Sequence, residues 1–246
     1  MLHLAPRSEG RTRSEIAAAT LMLCDAGIMS YSGHVSARLP GADASFLIQS
    51  IDQPRNGLRP EHMIVCDLDG RSIAADPKLR APIEVALHAE IYRARPDVKS
   101  VAHFHYDLAT SFTLVEDVPL RLVKNHAVRW RSGIPVHDDP GHVAGAERGK
   151  ALTRTLGPHH ACQIRAHGQV IVAESVPAVF HDTIHFIENA DAHHAAASIG
   201  KVRPLSAADL DLFEAELKRD RLVDKLWAYY LDGSRRSGVL PEGLEL

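Results

Sequence analysis

Pro82–His105 reads PIEVALHAEIYRARPDVKSVAHFH, a helix signal followed directly by a strand signal. Proline suits the first turn of a helix, and Ile83, Leu87, Ile91 and Tyr92 then recur at helical spacing. Pro96 closes the helix, because proline disfavours helical backbone at the residue before it. VKSVAHFH is β-branched and mainly apolar at its start, which predicts a strand. Strand side chains alternate faces, so His103 and His105 point the same way and form a ready pair of imidazole ligands. Such pairs also occur on plain surface strands, so the spacing alone does not separate a metal site from a solvated face. A third nitrogen would make a three-ligand site with open positions for substrate. His167 is the candidate, since it sits at a strand end against Gly168, where backbone or ligand can come close.

Outward from this stretch, helix and strand signals alternate. Ser14–Ala26 predicts a helix with Ser14 as its N-cap and Gly27 at its end. MSYSGHVSARLPG is a glycine-interrupted loop running into a short strand. FLIQS and MIVCDLDG are further strands, the second ending in an Asp-Gly turn, with a turn-rich IDQPRNGLRPEH between them. A short helix is expected at Leu108–Leu114, strands at LRLVKNHAVRW and GIPVH, and a helix at Gly145–Leu156. ACQIRAHGQVIVAES reads as two strands around His167-Gly168, followed by long helices at Ala178–Ser198 and Ala207–Tyr230. No repeat, low-complexity tract or composition break marks a linker. The expectation is one α/β domain over residues 1–246, with a core at about 14–200 and a helical C-terminal part at 206–232.

The composition sets limits on function. A chain of 246 residues with 45% hydrophobic content can bury a sizeable core without staples. A net charge of -3 offers no basic field to nucleic acid. Cys24, Cys66 and Cys162 are isolated, which argues against a disulfide framework and fits a cytoplasmic protein. The polar MLHLAPRSEGRTRSE start and the lack of a long apolar run predict neither a leader nor a membrane span. Histidine is over-represented, at 16 residues. His181 and His185 share a helical face that suits a pocket or a subunit interface. His159-His160 and His193-His194 read as exposed pairs, and Trp227, Tyr229 and Tyr230 as packing residues.

Taken together, GIMSYSGHVSAR, PIEVALHAEIYRARPDVKSVAHFH and RAHGQVIVAES, in this order and followed by a long helix, resemble the class II aldolase/adducin superfamily over about Ile16–Ala197. The resemblance implies a three-layer α/β/α domain with a central, largely antiparallel sheet, commonly a homotetramer with active sites between subunits. It implies one divalent metal per subunit (Zn, Mn, Fe or Co) held by His103, His105 and His167. It places the family's glutamate, a ligand or acid/base group, on Glu84.

The departures point to a branch. Where sugar-phosphate members carry Gly-Asn, a Thr/Ser-Gly turn and Ser-Ser, this chain has Gly33-His34, Gln49–Gln53 and Pro82-Ile83. Proline lacks an N–H and isoleucine a hydroxyl, so a phosphate would lose several donors. SGHVSARLPG and FIENA resemble instead the branch that decarboxylates hydroxylated aromatic or heteroaromatic acids. A metal there would chelate ring oxygen and carboxylate as a Lewis acid, while Glu84 or His34 returns a proton to the ring. Ser32, Gly33 and His34 would line the substrate loop, and Arg80, Arg129 or Arg131 would anchor a second carboxylate. Alternatives are an aldolase or epimerase for a small hydroxy-carbonyl compound, a non-haem iron oxygenase, and a non-catalytic adducin-like module.

Overall fold

In chain order the elements are α1 (Glu9–Asp25), β1 (His34–Leu39), β2 (Ala42–Gln49), β3 (Met63–Asp67), β4 (Ser72–Ala74), α2 (Val85–Ala94), β5 (Ser100–Phe104), α3 (Asp107–Ser111), β6 (Val136–His137), α4 (Ala146–Leu156), β7 (Ala161–Ile164), β8 (Gly168–Ala173), α5 (Val176–Ile199), α6 (Ala207–Glu216) and α7 (Arg219–Arg236). They come from a computed structural model that describes residues 8–246 except 75 and 77, with only the backbone at 43 and 74. The first residues of the polar N-terminal stretch, 1–7, lie outside the described residues. Among the described residues no helix is long and apolar enough to cross a membrane.

The eight strands form one sheet in the order β4-β3-β2-β1-β5-β8-β7-β6. Every pairing is antiparallel except β6 with β7. The two-residue side-chain period divides the core into two layers. Phe46, Ile48, Val101, Val170 and Val172 face Leu87 and Ile91 of α2 and Leu152 and Leu156 of α4. Leu47, Ala102 and Ile171, their neighbours along each strand, face Ile16 and Leu21 of α1 and Val179 and Phe186 of α5. The chain is thus an α/β protein with helices on both faces of a largely antiparallel sheet, as expected.

Three local expectations are corrected. α1 begins at Glu9, because the Ser8 side chain accepts from the Arg11 amide and caps it. Ser14 lies buried inside this helix and accepts from the amide of Glu245 instead. Leu120–Trp130 is no strand: it contains a 3-10 helix at Asn125–Trp130. The amides that a strand partner would bond are taken by α5 side chains, Arg121 N–H by His193 and the Val123 and Lys124 N–H groups by Asn189. His193 is accordingly buried rather than exposed. The helix expected over Ala207–Tyr230 is two helices, broken at the extended Leu217. The break turns α7 so that Arg219 reaches the buried Asp182 of α5.

Candidate metal centre

β1 and β5 set the frame of the site. His34 is paired directly with His103 across the strands, and His103 with Val170 on the other side. Both imidazoles project to the face covered by α2, whose first turn follows Glu84. His105 lies just beyond β5, and its ring centroid is 4.7 Å from that of His103. His167 arrives from the β7–β8 turn and stacks parallel to His105 at 5.1 Å.

Two glycines allow this approach. A Cβ on Gly168 would sit 2.4 Å from the Phe104 carbonyl oxygen and 2.9 Å from the His105 ring. Gly33 has φ +94°, and a Cβ there would meet the His103 carbonyl oxygen at 2.9 Å. Gly168→Ala therefore forces β5 and β8 apart. The expected result is a loss of about 1–3 kcal/mol in urea unfolding together with weakened metal binding. Unchanged metal affinity in this variant would show that the strand contact does not position His167.

Glu84, His103, His105 and His167 each offer one ligand atom, and these four atoms all lie within 4.8 Å of one another. His103 Nε2 is 3.2 Å from one Glu84 oxygen and His167 Nε2 is 3.6 Å from the other. The Val143 N–H donates to Glu84 Oε1 at 2.8 Å and fixes the carboxylate. His103 Nδ1 lies 2.9 Å from the Gln169 carbonyl, which takes its proton and leaves the Nε2 lone pair free. His105 Nδ1 is 3.0 Å from Ser32 Oγ. His103 Nε2 and both His167 nitrogens are buried without a hydrogen-bond partner. Buried polar atoms are normally satisfied, so these orphans fit ligands whose partner is an ion.

The electrostatics suit the same role. Burial lowers His105 to about 3, and burial lowers His167 as well. Both are neutral near pH 7, the form that binds a metal. Burial alone would raise the Glu84 carboxyl, but the facing His103 ring, the Val143 amide and His167 outweigh it and hold it below the usual range.

Behind the ligands runs a buried chain of hydrogen bonds. Tyr92 Oη is 2.7 Å from Ser36 Oγ, Ser36 Oγ is 2.6 Å from His88 Nδ1, and His88 Nε2 is 2.7 Å from His34 Nδ1. Among the described residues Ser36 Oγ is the one acceptor in reach of the Tyr92 hydroxyl, which burial keeps protonated, so Tyr92 donates to Ser36. Each hydroxyl and neutral imidazole has one proton to give, so the direction propagates: Ser36 to His88, and His88 to His34 Nδ1. His34 is left with its proton on Nε2, 3.9 Å from Glu84 Oε2.

Burial also pushes His88 from its ordinary 6.5 down to about 3. Between those values the unfolded chain binds a proton that the folded chain refuses. Stability therefore falls as pH drops through this window, by up to about 1.4 kcal/mol per pH unit for this one group. Urea unfolding at pH 7 and pH 4.5 should show the decline, and equal stability at both would contradict a buried neutral His88.

A cavity of about 790 Å³ opens onto the cluster, lined by Ser32, Gly33, His34, Glu84, His105 and His167 among others. Three features of the site escape the sequence reading. His142 approaches Glu84 Oε1 to 3.8 Å from the loop before α4. The Gly-His-Val of 141–143 repeats that of 33–35 and is the signal that marks it. His88 carries no signal beyond its place on α2. Arg55 lines the cavity while only 4% exposed. It donates to the carbonyls of Gly33, Ser50 and Gln53. Among the described residues no carboxylate lies within ion-pair distance of it.

The arginines expected at the site are elsewhere. Arg80 is exposed and paired with Asp52 just outside the cavity. Arg129 and Arg131 line a separate cavity, where Arg129 pairs with Asp182 and Arg131 with Asp211 and Glu214.

The sequence model of the Class II Aldolase and Adducin N-terminal domain matches residues 14–194. The chain belongs to the class II aldolase and adducin family. Class II aldolases use a divalent metal, and the His/Glu cluster offers a set of ligands for one. Family relatives include an adducin-related protein of Schizosaccharomyces pombe, 28% identical over 226 residues, covering 87% of this chain and 68% of that protein. A 3,4-dihydroxyphthalate decarboxylase of Arthrobacter keyseri is 27% identical, covering 70% of this chain and 73% of its own length. The crystal structure of an aldolase II superfamily protein from Pseudomonas syringae shares the class II aldolase fold, with a TM-score of 0.83, 22% identity and 97% of each chain covered.

Proposed function

We propose that this class II aldolase family member is a metal-dependent decarboxylase of a hydroxylated aromatic or heteroaromatic acid. One observation carries the reading: beside the ligand cluster, the cavity joins an apolar wall to a single buried cation. Ile51, Pro82 and Ile83 line it where sugar-phosphate relatives would offer small polar donors, and Ile83 is 64% exposed to an incoming ligand. Arg55 supplies a guanidinium that, among the described residues, has no carboxylate within ion-pair distance. A flat apolar ring with a carboxylate satisfies both features, whereas a hydroxyl-rich sugar phosphate could pair with Arg55 but leaves its hydroxyls against the apolar wall without partners. The relationship to a decarboxylase of a dihydroxylated aromatic diacid supports the same reading.

Glu84, His103, His105 and His167 would hold the divalent ion, which when bound supplies Lewis acidity toward a ring oxygen beside the scissile carboxylate. Arg55 anchors an acid group and orients the ring against Pro82 and Ile83. Of Glu84 and His34, the hydrogen-bond chain favours His34 as the proton donor, because its Nε2 carries a proton while the Glu84 carboxyl is held ionised. The proton that Nε2 gives to the ring is replaced from solvent through the cavity that His34 lines, while the hydrogen bond from His88 holds the ring in place. The same reading takes residues 1–246 as one domain, since the C-terminal Glu245 bonds back to Ser8 and Ser14 of the first helix. It takes the assembly to be a homo-oligomer.

The test is carbon dioxide release from a panel of ortho-hydroxy benzene and pyridine carboxylates, using protein reloaded separately with Mn, Zn, Fe and Co. Metal-dependent release supports the proposal. Carbonyl fragments from small hydroxy-carbonyl compounds, with no release across the panel, would transfer it to aldol cleavage at the same cluster.

A further inference from the structure

His181, His185 and Glu188 fall at i, i+4 and i+7 on α5, one stripe of a single helix face. The 3-10 helix Asn125–Trp130 lays His126 onto this stripe. The His126 and His185 rings stack with centroids 4.0 Å apart, and the His181 ring lies 4.1 Å from that of His185. His126 Nε2 is 3.7 Å from Glu188 Oε2. His126, His185 and Glu188 each offer one ligand atom, all within 4.8 Å of one another. The group lies with the α1/α5 core layer, on the opposite side of the sheet from His103 and α2.

Two nitrogens in this group have no partner although they are buried, His126 Nε2 and His181 Nε2. The His181 side chain is only 5% exposed, and it lines a cavity of about 290 Å³ together with His126. Its Nδ1 is 3.0 Å from Asp182 Oδ1, so the carboxylate takes the Nδ1 proton and the Nε2 lone pair is the one left free. Asp182 is held in turn by Arg129 and Arg219. A carboxylate behind an imidazole is the usual support of a metal-binding histidine, because it fixes the tautomer and the ring direction. Burial lowers His126 to about 4 and His185 to about 3, so both are neutral imidazoles near pH 7.

From this clustering we infer a second metal site, for a borderline divalent transition ion such as Zn²⁺ or Co²⁺, formed by His126, His185 and Glu188, with His181 Nε2 facing the adjoining cavity that His126 also lines. Imidazole and carboxylate donors suit these ions. Neutral donors with one acidic group make Ca²⁺ or Mg²⁺ a poor match. An ion here ties the Asn125–Trp130 segment to α5.

The experiment counts metal rather than activity. Chelator-stripped protein is dialysed against Zn²⁺ or Co²⁺ and analysed by elemental mass spectrometry, with the visible absorption of Co²⁺ as a second readout. Wild type should hold two equivalents, His103→Ala one, and the His126→Ala/His185→Ala double variant one. A single wild-type equivalent that survives in His103→Ala and disappears in the double variant would support the second site while refuting the first. A count unchanged by the double substitution would overturn the inference. Should circular dichroism show that the double variant is unfolded, Glu188→Gln decides. Its side chain is 48% exposed, and its loss should weaken the second equivalent at least tenfold; unaltered affinity would refute the site.

Discussion

Replacing His103 with alanine removes the metal and abolishes turnover while the fold survives. His103 is fully buried in a central strand, so the substitution leaves a hole, and a cost of about 1–3 kcal/mol is expected. That cost is softened because the imidazole it removes has an orphan Nε2 facing Glu84. The effect on the ion is far larger. Losing even a supporting partner of a ligand costs roughly 10–100-fold in metal affinity, and His103 is itself one of the four donors. At least a 100-fold weaker affinity is expected, with turnover falling in proportion to occupancy. Circular dichroism and urea unfolding check the fold, and metal analysis after dialysis checks the site. Full occupancy in this variant would remove His103 from the ligand set.

His34→Asn separates the ligands from the group that handles the proton. His34 is not among the four donors, yet its Nε2 stands 3.9 Å from Glu84 and its Nδ1 is locked to His88. Asparagine is too short to bridge both neighbours. Turnover should fall by roughly 10²–10⁴, the range for losing a positioned acid or base, while metal content stays near one equivalent at this centre. Metal lost along with activity would make His34 a ligand or a support for one, and near-normal turnover would return the proton donor to Glu84.

Much of this was legible in the sequence because it rests on local periodicity. The alternating His103-Phe104-His105 predicts two imidazoles on one face, and the rings do converge. Gly168 marks a close backbone approach, and the Phe104 carbonyl is what it approaches. The two core layers follow from alternation in FLIQS and QVIVA. What was not legible depends on partners distant in sequence. Arg55 sits in a stretch read only as turns, and nothing local shows that its donors meet the carbonyl of Gly33, 22 residues away. Arg129 carries the residue type of a carboxylate anchor, yet Asp182, 53 residues away, already holds it. The stretch from Leu120 to Lys124 predicts a strand, but α5 side chains satisfy its amides first. The helix expected from Ala207 breaks at Leu217, and the turn brings Arg219 to a buried carboxylate that no window of local sequence contains.

The central claim is tested most directly by following one carboxylate. An ortho-hydroxy aromatic acid labelled with ¹³C in the carboxyl group is incubated with metal-loaded protein in D₂O, and both products are read by NMR and mass spectrometry. The account predicts labelled carbon dioxide and bicarbonate, a ring product carrying one deuterium at the vacated carbon, and neither signal with His103→Ala. Label retained on the ring in every metal form, while the same protein splits a hydroxy-carbonyl compound into two carbonyl fragments, would contradict it.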